Sequence, residues 1–134
     1  MHILTPVDGS KPSLRAFELA AKLTMGLNSK LTILAVHQYI VGRKMTIDVQ
    51  SQEDVDQLLK NSKSTAVSFG VKDVTAVELK SRDVAHTIVD YAEKNGIDLI
   101  VMGAAGLGNI KSFVIGSVSA DVLRKSVCPV TIVH

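Results

Sequence analysis

Five short aliphatic runs, at residues 3–7, 31–36, 74–79, 99–102 and 130–133, alternate with segments whose apolar residues recur at helical spacing. No other feature of the chain constrains its fold as tightly. The runs are nearly continuous in Ile, Leu and Val, as in strands buried on both faces, so repeated strand–helix units with a parallel sheet are expected. The predicted architecture is α/β: a five-stranded parallel sheet with helices on both faces, spanning residues 1–134 as one domain.

The intervening segments carry helix signals. Ser10 is placed to cap a first helix with Pro12 in its opening turn, an apolar side of Leu14, Phe17, Leu19, Ala20, Ala21 and Leu23, and an end at Gly26. Ser51 with Asp54 opens a second helix, whose inward side holds Val55, Leu58, Leu59, Ala66 and Phe69, and Gly70 closes it. A third helix is expected over 83–95, with Val84, Ile88, Tyr91 and Ala92 inward and Gly96 as a left-handed cap. A fourth covers 117–126, held by Val118, Val122 and Leu123. Residues 37–50, with Gly42, Arg43, Lys44 and Asp48, read as an irregular flap near a site.

Composition removes several function classes. Aromatic residues make up only 4% of the chain and Trp is absent, which argues against base stacking as a mode of single-strand recognition. The net charge of +2 comes from scattered Lys and Arg that form no stripe for a polyphosphate backbone, so no nucleic acid is expected as partner. Cys128 stands alone and beside Pro129 in an apolar stretch, which excludes an internal disulfide and reads as a small core side chain. No apolar run approaches the roughly 20 residues of a membrane span, and residues 2–7 read as a core strand without secretory features; a cytoplasmic protein is the expectation.

The chemistry concentrates after the fourth run. Gly103-Ala104-Ala105-Gly106 is followed, after nine intervening residues, by Gly116-Ser117. A buried strand that leads through spaced glycines into a helix presents main-chain N–H groups around a concave site at the sheet's carboxyl edge, an arrangement suited to phosphate. Gly103 is expected to let the strand end close to a ligand, Gly106 to permit a positive φ, and Gly116 to clear the helix N-terminus, where Ser117 adds a hydroxyl. The same glycines could also serve only to make tight turns. Asp8, at the carboxyl end of the first strand, can accept from two adjacent sugar hydroxyls or compensate the helix start at Ser10. The Walker and Rossmann glycine patterns are both absent.

Four pieces in order carry a family resemblance: Ile3-Leu4-Thr5-Pro6-Val7-Asp8-Gly9-Ser10, the strand end Val36-His37, the Gly-x2-Gly-x9-Gly-Ser loop, and Val122-Leu123-Arg124 with Cys128-Pro129-Val130. Together they resemble the universal stress protein family, in its ATP-binding subgroup. The resemblance implies a Rossmann-like sheet, similar to adenine nucleotide alpha hydrolases, of order 3-2-1-4-5, and a homodimer. It implies that Asp8 bonds the ribose, that Val7 and Val36 line the adenine pocket, that Pro6 and Met102 also belong to the nucleotide site, and that Gly103, Gly106, Gly116 and Ser117 hold phosphates with Val118 and Ser119 at the helix start. ATP is the implied ligand, with Mg²⁺ carried by its phosphates. Relatives that bind ATP usually have a hydroxyl residue, then His or Arg, and a basic residue where this chain has Ala104, Ala105 and Leu107; Lys111 is a candidate phosphate contact in compensation.

Other chemistries find less support. Gly116-Ser117-Val118-Ser119-Ala120 falls one residue short of a nucleophile elbow, His86 and Asp90 read as a surface pair, and the remaining histidines lack metal-binding spacing. The run Val130–Val133 would be a sheet edge open to pairing with its own copy across a two-fold axis. The expected function is a nucleotide-responsive stress module without a dedicated catalytic residue. The alternatives are a slow ATPase or autokinase with Ser117 or Ser119 as acceptor, and a dimeric scaffold that binds AMP, a cyclic nucleotide or no nucleotide.

Overall fold

The computed structural model describes residues 1–105 and 115–134. In chain order the elements are β1 (His2–Pro6), α1 (Lys11–Gly26), β2 (Lys30–Val41), β3 (Thr46–Asp48), α2 (Gln52–Ser68), β4 (Val74–Ser81), α3 (Val84–Lys94), β5 (Leu99–Gly103), α4 (Ser117–Lys125) and β6 (Val130–Val133). β1 lies between β2 and β5, β4 pairs with the far side of β2 and β6 with the far side of β5, all parallel. With the short β3 set aside, this is the 3-2-1-4-5 order expected from the sequence.

The flap is the main correction. Residues 37–50 are not irregular: β2 runs on to Val41 and turns back into β3, antiparallel, with Ile40 opposite Ile47 and Val41 opposite Thr46. The turn is closed by Gly42 N–H donating to the Met45 carbonyl at 2.8 Å. The turn residues Gly42-Arg43-Lys44 hid the β-branched pairs Ile40-Val41 and Thr46-Ile47 on either side, so the described residues form a mixed sheet of six strands.

Strand alternation divides the core between two faces. Ile3, Ile33 and Val101 point towards α1 and α2 with Phe17, Ala20 and Val55, while the neighbouring Leu4, Leu34 and Ile100 point towards α3 and α4 with Ile88, Ala92 and Val122. α1 buries Ser13, Ala16, Phe17, Ala20, Ala21 and Thr24, a stripe at spacings of three and four. Leu14 sits about 100° round the helix from that stripe and is 54% exposed, contrary to expectation. Phe69 and Leu123, also expected inward, are exposed as well. Among the described residues no helix is long and apolar enough to cross a membrane.

Candidate functional site

β1 and β5 are neighbours, yet the helix after β1 covers one face of the sheet and the helix after β5 the other. Chains that diverge in this way leave a crevice at the carboxyl ends of the strands. A cleft of about 290 Å³ opens there. From β1 and its turn it is lined by Pro6, Val7 and Asp8; from β2 by Val36; from β5 by Met102 and Gly103. Gly116, Ser117, Val118 and Ser119 line it from the start of α4. Gly106 and Lys111 lie outside the described residues.

The turn after β1 is built by short polar contacts. Asp8 N–H donates to Ser13 Oγ at 3.0 Å, and Ser10 N–H donates to Asp8 Oδ1 at 2.9 Å. Gly9 between them has φ +87°, a conformation that other residues rarely adopt. Ser10 caps α1 by accepting from Ser13 N–H. One Asp8 oxygen therefore fixes the turn that aims the carboxylate, so the helix-start role weighed from the sequence is in part real.

Gly103, which lines the cleft, also has a packing task that the sequence did not show. A Cβ on it would stand 2.8 Å from both Pro12 C and Ser13 N, so its missing side chain makes room for the first turn of α1. At Gly116, with φ −68°, a Cβ would make ordinary contacts at 3.4 Å with Ala104 O and Ala105 Cα. The Gly116 N–H donates to the Ala104 carbonyl at 2.6 Å, and Ala104 N–H donates to the Val133 carbonyl at 2.7 Å. Two main-chain donors beside the cleft are thus engaged by the protein. Ser119 is buried and donates to the same Ala104 carbonyl at 2.6 Å, tying α4 to the end of β5. Gly116 supplies no side-chain cap, which leaves the first-turn amides of α4, at residues that line the cleft, without an intrahelical carbonyl.

Several lining residues escaped the sequence reading. Gln38, Val49 and Gln50 come from the hairpin arm, which was read as irregular, and Gln50 donates through Nε2 to the Asp8 carbonyl at 3.1 Å. Val84 and Ile88 had the i, i+4 spacing of core residues, and they double as a wall of the cleft. Ser13 gave no signal beyond its place three residues after the cap. Asp8 is the one charged side chain among the described lining residues, and Ala105 adds only a methyl group to the cleft wall. Among the described residues no group of three His, Cys, Asp or Glu could hold a metal ion. His86 is exposed, and Asp90 pairs instead with Lys94 at 2.9 Å.

A doubly wound α/β sheet with a cleft at its switch point defines a broad nucleotide-binding architecture. The model of the universal stress protein family matches residues 1–134, and the chain belongs to that family. It is 30% identical to universal stress protein YxiE of Bacillus subtilis (strain 168), over 98% of this chain and 97% of the relative. Among solved structures, universal stress protein UspA from Lactobacillus plantarum superposes with a TM-score of 0.85 at 22% identity, covering 100% of this chain and 97% of that one. A universal stress protein in complex with cAMP superposes at 0.77 with 28% identity, covering 100% and 96%.

Proposed function

We propose that the cleft binds an adenine nucleotide and that the protein is a cytoplasmic, dimeric, nucleotide-responsive regulatory module. The observation that carries this reading is the meeting, in one cleft, of Asp8 with the first turn of α4, whose N-cap Gly116 has no side chain to cap it. A carboxylate there can take the two ribose hydroxyls, and the positive end of a helix dipole favours phosphate. Pro6, Val7, Val36 and Met102 offer the base an apolar wall. The ligand is ATP, with Mg²⁺ carried by its phosphates and Gly106 and Lys111 assisting. Among the described residues β6 pairs with β5 alone, and its other edge is suited to a second copy across a two-fold axis.

A second reading is favoured by the donors engaged at Ala104 and Gly116 and by the absence of Lys, Arg or His among the described lining residues. Fewer donors and no cation among the described lining residues suit a single phosphate, as in AMP or a cyclic nucleotide, and the complex of a universal stress protein with cAMP is in keeping with it. One experiment separates the two. Freshly purified protein is denatured and the supernatant analysed by mass spectrometry for small molecules, followed by titration with ATP, AMP and cAMP. Recovery of ATP supports the first reading, recovery of a monophosphate supports the second, and silence in both assays removes both.

A further inference from the structure

β2 stands on the far side of β1 from β5 and α4, so a ligand with its phosphate at α4 and its sugar at Asp8 brings its base over β2. Side chains two apart on a strand share a face, and Val36 and Gln38 therefore both point to the side of the sheet that packs on α3. Across the hairpin Gln38 lies opposite Val49, whose N–H donates to the Gln38 carbonyl at 2.9 Å. Val84 and Ile88 of α3 add to the same wall. Gln38 is thus a half-buried amide among aliphatic side chains.

Three other polar side chains of the cleft are already bonded within the protein. Ser13 Oγ accepts from Asp8 N–H, Ser119 Oγ donates to the Ala104 carbonyl, and Gln50 Nε2 donates to the Asp8 carbonyl. Ser117 stands apart from β2, at the start of α4. Among the described residues the side chain of Gln38 has no hydrogen-bond partner, although Gln50 and Gln52 further along the chain both have one. An amide partly withdrawn from water among aliphatic groups loses hydration that only a polar ligand group can replace.

We propose, building on the nucleotide reading of the cleft, that Gln38 is the specificity-determining residue for the base: its Oε1 accepts from the 6-amino group of adenine while its Nε2 donates to the ring nitrogen beside that group. A side-chain amide sets an acceptor and a donor side by side in one plane, and adenine sets a donor beside an acceptor in the same way. The rest of the wall cannot make this distinction. Val36, Val49, Val84 and Ile88 offer any flat base the same apolar contact, whereas a base without the amino group leaves Oε1 unpaired. The β2–β3 hairpin gains a task by this route, because it holds Val49 beside Gln38 and so closes the slot around the amide.

The test is a double-mutant cycle between side chain and ligand. Nucleotide-free protein is titrated calorimetrically with ATP and with purine riboside triphosphate, which carries hydrogen in place of the 6-amino group, and with the corresponding pair of monophosphates. Removing the amino group should weaken binding on the order of fivefold in the wild type and less than about twofold in Gln38→Met, a variant of similar shape without the amide. An equal loss in the two proteins overturns the role of Gln38. Gln38→Glu is the second variant and decides if Gln38→Met does not fold. Its two oxygens both accept, which suits the N1–H and 2-amino donors of guanine and opposes the ring nitrogen of adenine, so the ratio of ATP to GTP affinity should fall on the order of tenfold. A ratio unchanged from the wild type overturns the role as well. If neither pair of ligands binds the wild type at millimolar concentration, the nucleotide reading fails and this inference with it. Binding of ATP or AMP with an amino-group effect that ignores Gln38 strikes the inference alone.

Discussion

Gly103 and Gly116 show how the same residue type serves different physics a few residues apart. At Gly103 a methyl group would sit 2.8 Å from the backbone of α1, and neither backbone can yield cheaply. Gly103→Ala should lower stability by about 1–3 kcal/mol in thermal or urea unfolding. Gly116→Ala, with φ −68° and contacts at 3.4 Å, should stay within about 1 kcal/mol of wild type. His2 gives a pH test of its own. Burial, followed by the nearby Lys30, lowers its pKa from the ordinary 6.5, and Nε2 lies 2.7 Å from Thr32 Oγ1. The unfolded chain then takes up the proton more readily than the folded one, so stability declines as pH falls below 6.5 towards the lowered value. Urea unfolding near pH 7.5 and near pH 5 should show a smaller acid loss in His2→Gln than in the wild type.

At the scale of elements, the junction of β5, α4 and β6 is held by hydrogen bonds that converge on Ala104. Ser119→Ala removes the buried hydroxyl bond to the Ala104 carbonyl and should cost about 1 kcal/mol without any ligand present. Loss of nucleotide affinity with no change in stability would instead favour a ligand contact for Ser119. The strands and the first two helix caps were legible in the sequence because their causes are local: Ser10 and Ser51 each cap a helix through a side-chain oxygen, and Asp83, expected inside the third helix, turns out to cap it in the same way. The hairpin was not, because its pairing of Ile40 with Ile47 depends on register across a turn whose residues resemble loop. Leu14 was misplaced by a single position on the helix, a difference that apolar character alone does not resolve. The cleft's frame at Asp8 and α4 followed from motif spacing and Val36 from the family resemblance, whereas Gln50 enters only once the hairpin folds back over the turn after β1.

At the scale of the whole molecule, assembly and ligand binding can be tested apart. The carbonyls of Pro129 and Val133 bond towards β5, so in a parallel pair the main-chain groups of Val130 and Ile132 face the open edge. Ile132→Pro removes an outward N–H and should turn a dimer into a monomer in sedimentation velocity, while the β5 side of the strand keeps its pairing. A monomeric wild type would refute the dimer. The measurement that reaches the central claim is calorimetric titration of nucleotide-free protein with ATP, alongside Asp8→Asn, checked for folding by its melting curve. Saturable one-site binding in the micromolar range, about −8 kcal/mol, weakened on the order of tenfold by the variant, is the predicted result. No saturable heat with ATP, AMP or cAMP at millimolar concentration, or equal affinity in wild type and Asp8→Asn, would contradict it.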